Sequence, residues 1–311
     1  MVDEQSLLTR HIEFIESTTG DYWLKDVYAY LNLKDEVSRA TVRQQSHRFY
    51  LKGFITRVGK DDGHYRKVQA RKRLDIINAD PDVFLDIVYP PFGLERVVKT
   101  PSKFLVVTAG ANGSGKTALC MNFTLGNLAK HRVYLFVNTE MTANRIKKRL
   151  LDHPNIGMYN MDNLEVFEQE DHFEDVIEPA GINVIDYIEV PSERPAMIGE
   201  YLAAIQSKLT TGMAFVAIQK KTNSKDRKGV YWEEELGVGG EWSKRKSDLY
   251  MTLDHYPANV LKITKARERV NDHVNPVGMK WEFNLVRGIN FVKVIDPPGI
   301  PSNVVISEME F

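Results

Sequence analysis

The chain is 311 residues long, 43% hydrophobic and 27% charged, with a formal net charge of -1. That is the make-up of a soluble globular protein with room for a large and a small domain, not of a disordered or membrane-embedded one. A single cysteine, Cys120, excludes an intrachain disulfide framework and a cysteine zinc site and implies a reducing, cytoplasmic setting. No apolar run approaches the roughly 18 residues of a membrane span, and the start MVDEQSLLTRHIEF lacks the basic-then-apolar order of a signal peptide, so no membrane partner is expected.

Leu8, Ile12 and Ile15 form one apolar stripe at helical spacing and Trp23, Val27 and Leu31 a second, predicting two short helices. A third is predicted from Ser38, a residue suited to cap it, to Gly53, which ends it, with Val42 and Phe49 inward. On its other face Arg39, Arg43 and His47 recur every four residues, with Gln44 beside them. The runs FITRV and HYRKV, joined by GKDDG, then predict a hairpin. From Arg39 to Arg73 eleven Lys or Arg, Arg66 and Lys67 among them, face only Asp61 and Asp62. Such a patch attracts phosphates by releasing counterions, while Arg and Gln on the helix can also hydrogen-bond base edges.

Three helices followed by a hairpin, in this order and spacing, resemble the winged helix-turn-helix family, whose third helix enters the major groove and whose wing touches the backbone. The resemblance implies a domain over residues 1–70 that binds DNA, double-stranded through the winged helix, by Arg39, Arg43, Gln44, His47, Arg66 and Lys67. A solvated helical hairpin, or a winged helix that serves protein contacts, remains the alternative. Residues 71–91 begin as a basic helix, carry Pro81 and reach Pro90-Pro91, and read as a stiff linker.

The second domain, placed at 92–295, contains the β-rich run FLVVTA, then GANGSGKT, then the helix-compatible TALCMNFTLGNLA. Gly110 to Thr117 fit the phosphate-loop spacing G-x-x-x-x-G-K-[ST] at the point where a strand must turn sharply into a helix. Gly110, Ala111, Asn112, Gly113, Ser114, Gly115, Lys116, Thr117 and Ala118 are the residues expected to hold phosphates. The glycines admit close backbone approach, and exposed N–H groups with the positive end of the helix dipole meet the negative charge. Lys116 would reach the β and γ phosphates and Thr117 would ligate Mg2+, so ATP and Mg2+ are the cofactors implied. RVYLFVNTEM, GINVIDYIEV and MAFVAIQK predict further strands, at or near whose ends stand Glu140, Asp186 and Gln219. Strands alternating with helices predict an α/β fold, a mostly parallel sheet with helices on both faces and the ligand at the strands' carboxyl ends, where Asp186 would hold Mg2+ through water.

In combination, GANGSGKT, VYLFVNTEMTANRIKKRL, VIDYIEV and AIQK resemble the RecA-like ATPase core, most closely the branch containing the DnaB-type replicative helicases, over about residues 92–295. The resemblance implies that Glu140 polarises the attacking water, that Asp186 is the Walker B carboxylate and that Gln219 is the sensor. Tyr187, not Glu, follows Asp186, which argues against classes that place the base there. In NVLKITKARERV, Lys265 and Arg267 match a Lys-x-Arg pair that in DnaB-type proteins reaches the nucleotide of the adjacent subunit. A homo-oligomer, ring or filament, with ATP at subunit interfaces is thereby implied.

The stretch KKTNSKDRKGVYWEEELGVGGEWSKRK mixes basic residues, Trp232, Trp242 and glycines as a mobile binding loop does. RecA-like proteins place DNA-binding loops here, and Lys220, Lys221, Lys225, Arg227 and Lys228 are candidates for backbone contacts. Glu233, Glu234 and Glu235 in the same loop equally suit contact with a neighbouring subunit. Residues 296–311 read as a tail or a docking arm. The function expected is an ATP-dependent DNA-binding motor or remodelling protein, an ATPase of helicase, translocase or filament type. The alternative is a nucleotide-switched DNA-binding regulator with slow hydrolysis. A small-molecule kinase fits poorly, since it leaves the basic N-terminal domain without a role.

Overall fold

The computed structural model describes residues 4–69, 74–139, 141–225 and 231–300. Glu140, Arg227 and Lys228, with part of the expected linker and most of the expected tail, lie outside those residues. The chain divides by its internal contacts into two units, Met1–Ala79 and Asp80–Phe311.

The first unit contains α1 (Glu4–Ser17), β1 (Asp21–Trp23), α2 (Leu24–Tyr30), α3 (Glu36–Leu51), β2 (Ile55–Arg57) and β3 (His64–Lys67). Its antiparallel sheet has the order β1-β3-β2, with Tyr22 opposite Tyr65. Helix α3 starts ahead of the expected Ser38, because the Asp35 carboxylate accepts the Ser38 N–H at 2.8 Å and so caps the first turn. The buried stripe of α1 also differs from the expected one: Leu7, His11, Phe14 and Ile15 are inside and Leu8 is exposed. This rotation lets His11 Nδ1 meet Gln45 Oε1 of α3 at 2.9 Å, with Ser46 Oγ 3.5 Å from Nε2. A polar residue is thus buried with partners rather than left at the surface. Trp23 lies on β1, not in the helical stripe, and stacks on His64 at 4.3 Å between ring centres.

The second unit is mixed α/β. In chain order it carries β4 (Phe104–Gly110), α4 (Lys116–Asn127), β5 (Val133–Val137), α5 (Ala143–Leu151), β6 (Leu164–Glu168), α6 (Phe173–Val176), β7 (Ile182–Ile188), α7 (Met197–Lys208) and β8 (Met213–Gln219). There follow β9 (Ser224–Lys225), β10 (Tyr231–Trp232), α8 (Glu241–Arg245), β11 (Leu249–Asp254), β12 (Val260–Ala266), β13 (Lys280–Val286) and β14 (Asn290–Ile295). Nine strands form one sheet in the order β14-β13-β12-β11-β4-β8-β7-β5-β6, parallel from β11 to β6 and antiparallel from β11 to β14. Successive residues of a strand point to opposite faces. Phe104 and Val106 therefore join the core that includes Leu119 and Phe123 of α4, while Leu105 and Val107 join the core that includes Leu202 and Ile205 of α7.

With both faces covered, β4 is buried along its whole length, as its uninterrupted apolar run requires. Ile87 and Tyr89, from the second half of the stretch expected as linker, are buried in the α4-side core, and Asn127 brackets Val88 through both its N–H and its C=O. No described helix is long and apolar enough to cross a membrane.

Candidate nucleotide site

Strand β4 ends at Gly110 and α4 begins at Lys116, so the intervening residues must reverse the backbone within one tight loop. Gly113 and Gly115 take φ of 74° and 101°, values that side-chain-bearing residues avoid. A Cβ at Gly110 would stand 2.5 Å from Ser114 Oγ and 2.7 Å from Lys116 Cγ. The loop forms the floor of a cleft of about 860 Å³ at the carboxyl edge of the parallel strands.

Register brings the other polar groups to the same edge. Gln219 pairs with Gly110 across β4 and β8, and Asp186 pairs with Val137 across β7 and β5. Lys116 Nζ donates to Gly110 O, Ala111 O and Gln219 Oε1, each at 3.0 Å. Burial draws the pKa of Lys116 down, while the Asp186 charge pulls it up. Asp186 is 3% exposed and its Oδ1 has no hydrogen-bond partner. Burial pushes its pKa up, against the influence of Thr117, Lys116, Arg149 and Cys120, which favour the charged form. Ser114 Oγ is likewise buried without a partner.

This donor set fits a magnesium triphosphate. One buried carboxylate and one hydroxyl are hard oxygen donors, and Mg2+ is commonly held by one or two carboxylates together with substrate phosphates and water. Among the described residues no cluster of three His, Cys, Asp or Glu offers a metal cage made of protein alone. The Asp186 and Ser114 oxygens lack the partners that such a ligand would supply, whereas Lys116 Nζ, whose three donors are filled, would exchange its acceptors for phosphate oxygen.

Lys116, Thr117, Asp186 and Gln219, with Asn112, Gly113, Gly115 and Ala118, thus meet in one cleft. Asn138 and Met141, on either side of Glu140, also line it. Lys265 and Arg267 do not. Ala266 pairs with Leu249, and Leu249 with Val106, four strand residues, or about 13 Å, back from Gly110. Lys265 Nζ donates to Lys244 O at 2.7 Å and Arg245 O at 3.1 Å, and Arg267 bonds Asp248 Oδ1 at 2.9 Å. Burial, aided by the Arg267 charge, lowers the Lys265 pKa to about 8.

The loop after β8 requires a correction. Lys220 is not a surface contact: its side chain is 0% exposed and pairs with Asp254 at 2.6 Å. It also donates to Asn223 Oδ1 at 3.0 Å and Glu234 O at 2.7 Å. A charge read as solvated is the internal anchor of the β9–β10 hairpin. Glu233 and Glu235 pair with Lys262 of β12, and Glu233 also lies 3.4 Å from Lys280, so these acids have partners within the chain. Lys225 and Trp232 are exposed on the hairpin.

In the first unit, Arg39 is turned inward. Its Nε and Nη2 donate to Leu33 O at 3.1 and 3.0 Å, and its guanidinium lies over the Tyr28 ring, closing the turn between α2 and α3. Arg43 is exposed and pairs with Glu36 at 2.5 Å. Gln44, His47 and Arg66 are exposed and Lys67 is half-buried.

Sequence reasoning missed Asn138, Met141 and Thr222 of the cleft, together with Arg145 and Arg149 of α5 and Leu285 and Gly288 of the β13–β14 hairpin. The arginines stand four apart, one helical turn, after TEM. The hairpin signal was WEFNLV, RG, INFVKV, two apolar-rich runs about a glycine turn. No protein-family model and no curated protein sequence matches the chain.

Proposed function

We propose that this protein is an ATP-dependent DNA-binding motor or remodelling protein, a winged-helix unit followed by a RecA-like ATPase unit that assembles with ATP at subunit interfaces. The observation that carries the reading is the meeting of Lys116, Thr117, Asp186 and Gln219 at the carboxyl edge of a parallel sheet, over a glycine loop that opens a helix. The bound nucleotide supplies the phosphoryl group that passes to water.

The chain's own residues would do the following. Backbone N–H groups of the loop and Lys116 hold the phosphates, and Thr117 with Asp186 holds Mg2+. Lys116 leaves its carbonyl partners and Gln219 Oε1 when it turns to phosphate oxygen, which frees Gln219 at the root of the β9–β10 hairpin. Glu140 orients and deprotonates the attacking water. Lys265 and Arg267, remote from their own loop, offset the charge that develops on the phosphoryl group of the neighbouring subunit. Exposed Arg43, Gln44 and His47 on α3 and Arg66 on β3 meet duplex DNA.

The test is the ATPase rate of wild type and Lys116→Ala, each with and without duplex DNA. Duplex should stimulate the wild type, and the variant should be inactive in both conditions. Full activity in Lys116→Ala, or a wild-type rate indifferent to DNA of any form, would sink the reading. Slow turnover with site-specific protection of DNA would favour the nucleotide-switched regulator.

A further inference from the structure

Lys265 and Arg267 stand beside the start of β11, at the opposite end of that strand from the phosphate loop, and their own chain holds them there. Arg267 Nη1 donates to Asp248 Oδ1 at 2.9 Å, and the Arg267 N–H donates to Asp248 O at 2.9 Å. Asp248 is itself fixed, since the Leu105 N–H donates to its Oδ2 at 2.9 Å and Gln206 Nε2 donates to the same oxygen at 3.3 Å. The other partners are the carbonyls that end α8. Lys265 Nζ donates to Lys244 O at 2.7 Å and Arg245 O at 3.1 Å, and Arg267 Nη2 donates to Arg245 O at 3.2 Å. Where α8 sits therefore decides where both cations sit.

With five residues, α8 cannot hold its place by its own hydrogen bonds. A buried hydroxyl fixes it. Tyr250 and Ser243 are both 0% exposed. Ser243 donates its one hydroxyl proton to Gly240 O at 2.7 Å. The Tyr250 hydroxyl, 3.0 Å from Ser243 Oγ, is therefore the donor between the two, and its oxygen accepts the Gly237 N–H at 2.8 Å. Gly237 is fastened to the end of β8: it pairs with Lys220, and the next residue, Val238, donates its N–H to Gln219 O at 2.7 Å. A Cβ at Gly237 would stand 2.9 Å from Gln219 O and 2.5 Å from Ile218 Cδ1, so only glycine permits this approach. One hydroxyl thus joins the backbone of Gln219, whose side chain holds Lys116 Nζ, to the helix that holds Lys265 and Arg267.

We propose that Tyr250 is the positioning residue for Lys265 and Arg267: its hydroxyl sets α8 against the end of β8, and α8 presents both cations to the neighbouring subunit's nucleotide. The proposal rests on the reading that this pair acts across a subunit interface, and adds what holds the pair in place. It requires that a defect at Tyr250 appear in the neighbour's cleft and not in its own.

Tyr250→Phe keeps the ring in the core and removes only the hydroxyl; Ser243→Ala breaks the same link from the side of α8. Each variant should bind Mg-ATP within about twofold of wild type and, with duplex DNA, hydrolyse it at least about tenfold more slowly, as a small misplacement of catalytic groups requires. Each is then mixed in equal amount with an inactive variant. Glu140→Ala brings intact Lys265 and Arg267 to an intact cleft and should raise hydrolysis well above either variant alone; Arg267→Ala brings no working pair and should not. Recovery with Arg267→Ala, no recovery with Glu140→Ala, weaker Mg-ATP binding by both variants, or a wild-type rate in both would overturn the proposal. If Glu140→Ala and Arg267→Ala do not restore each other, the shared-site reading fails and the proposal with it.

Discussion

Lys220→Met removes a buried cation and keeps most of the side-chain stem. Its partner Asp254 is 5% exposed, and burial already pushes that carboxyl's pKa up while Lys220 and Asn223 hold it down. Without the lysine, Asp254 and the acceptors Asn223 Oδ1 and Glu234 O lose a donor in a dry setting. Removing one partner of a buried pair costs about 3–5 kcal/mol, and protonation of Asp254 limits the loss to about 3. For a unit of the size of Asp80–Phe311 that lowers the melting temperature by about 6–12 °C. The assay is a thermal melt of the full chain, with Lys220→Met, Asp254→Leu and the double substitution compared in a cycle. The double variant should regain most of the loss, because no unpaired charge remains. A Lys220→Met melt within about 2 °C of wild type, accompanied by weaker DNA binding, would mean that Lys220 is a surface contact and not a buried anchor.

Arg39→Ala should destabilise the first unit by about 1–2 kcal/mol, since Leu33 O loses two charge-assisted donors, whereas Arg43→Ala, whose ion pair is exposed and screened, should leave the melt unchanged and weaken duplex binding; melts and DNA titrations of both variants separate the roles. Burial holds the pKa of His11 below 6.5, so the unfolded chain takes up the proton first as pH falls. The stability tied to neutral His11 is therefore complete above about pH 6.5 and declines on acidification toward the folded pKa. Amide exchange in α1 and α3, corrected for intrinsic rates, should be faster at pH 5 than at pH 7.5, and His11→Gln should flatten the difference. Asp186→Asn removes a buried carboxylate with an unpartnered oxygen and should stabilise the second unit by about 0.5–2 kcal/mol in a thermal melt while abolishing Mg-dependent nucleotide binding.

The parts of the fold legible beforehand were those whose signal is local. The phosphate loop carries its own spacing, and β7 and β8 are apolar runs too short for helices that end in Asp186-Tyr187-Ile188 and Gln219. Three-residue β1 has no room for alternation and forms because β3 pairs with it. Lys220 looked solvated because Asp254, which neutralises it, is 34 residues further on and meets it only through the topology of β8 and β11. Arg39 shares the four-residue period of Arg43 and His47, yet periodicity places a Cβ and not the end of a long side chain; the carbonyl of Leu33 draws it inward. Leu285 reads as one apolar residue of an edge hairpin, and its place over Gly115 follows from the sheet order, which no short window contains.

A site shared between subunits requires that two inactive variants restore each other's activity when mixed. Glu140→Ala keeps Lys265 and Arg267 intact; Arg267→Ala keeps Glu140. In equal mixture with duplex DNA, about a quarter of head-to-tail interfaces would unite an intact Glu140 with a neighbour's intact Arg267. ATP hydrolysis should recover to about a quarter of the wild-type rate, maximal near equal proportions. No recovery at any ratio, from variants that each bind ATP, would rule out the shared site.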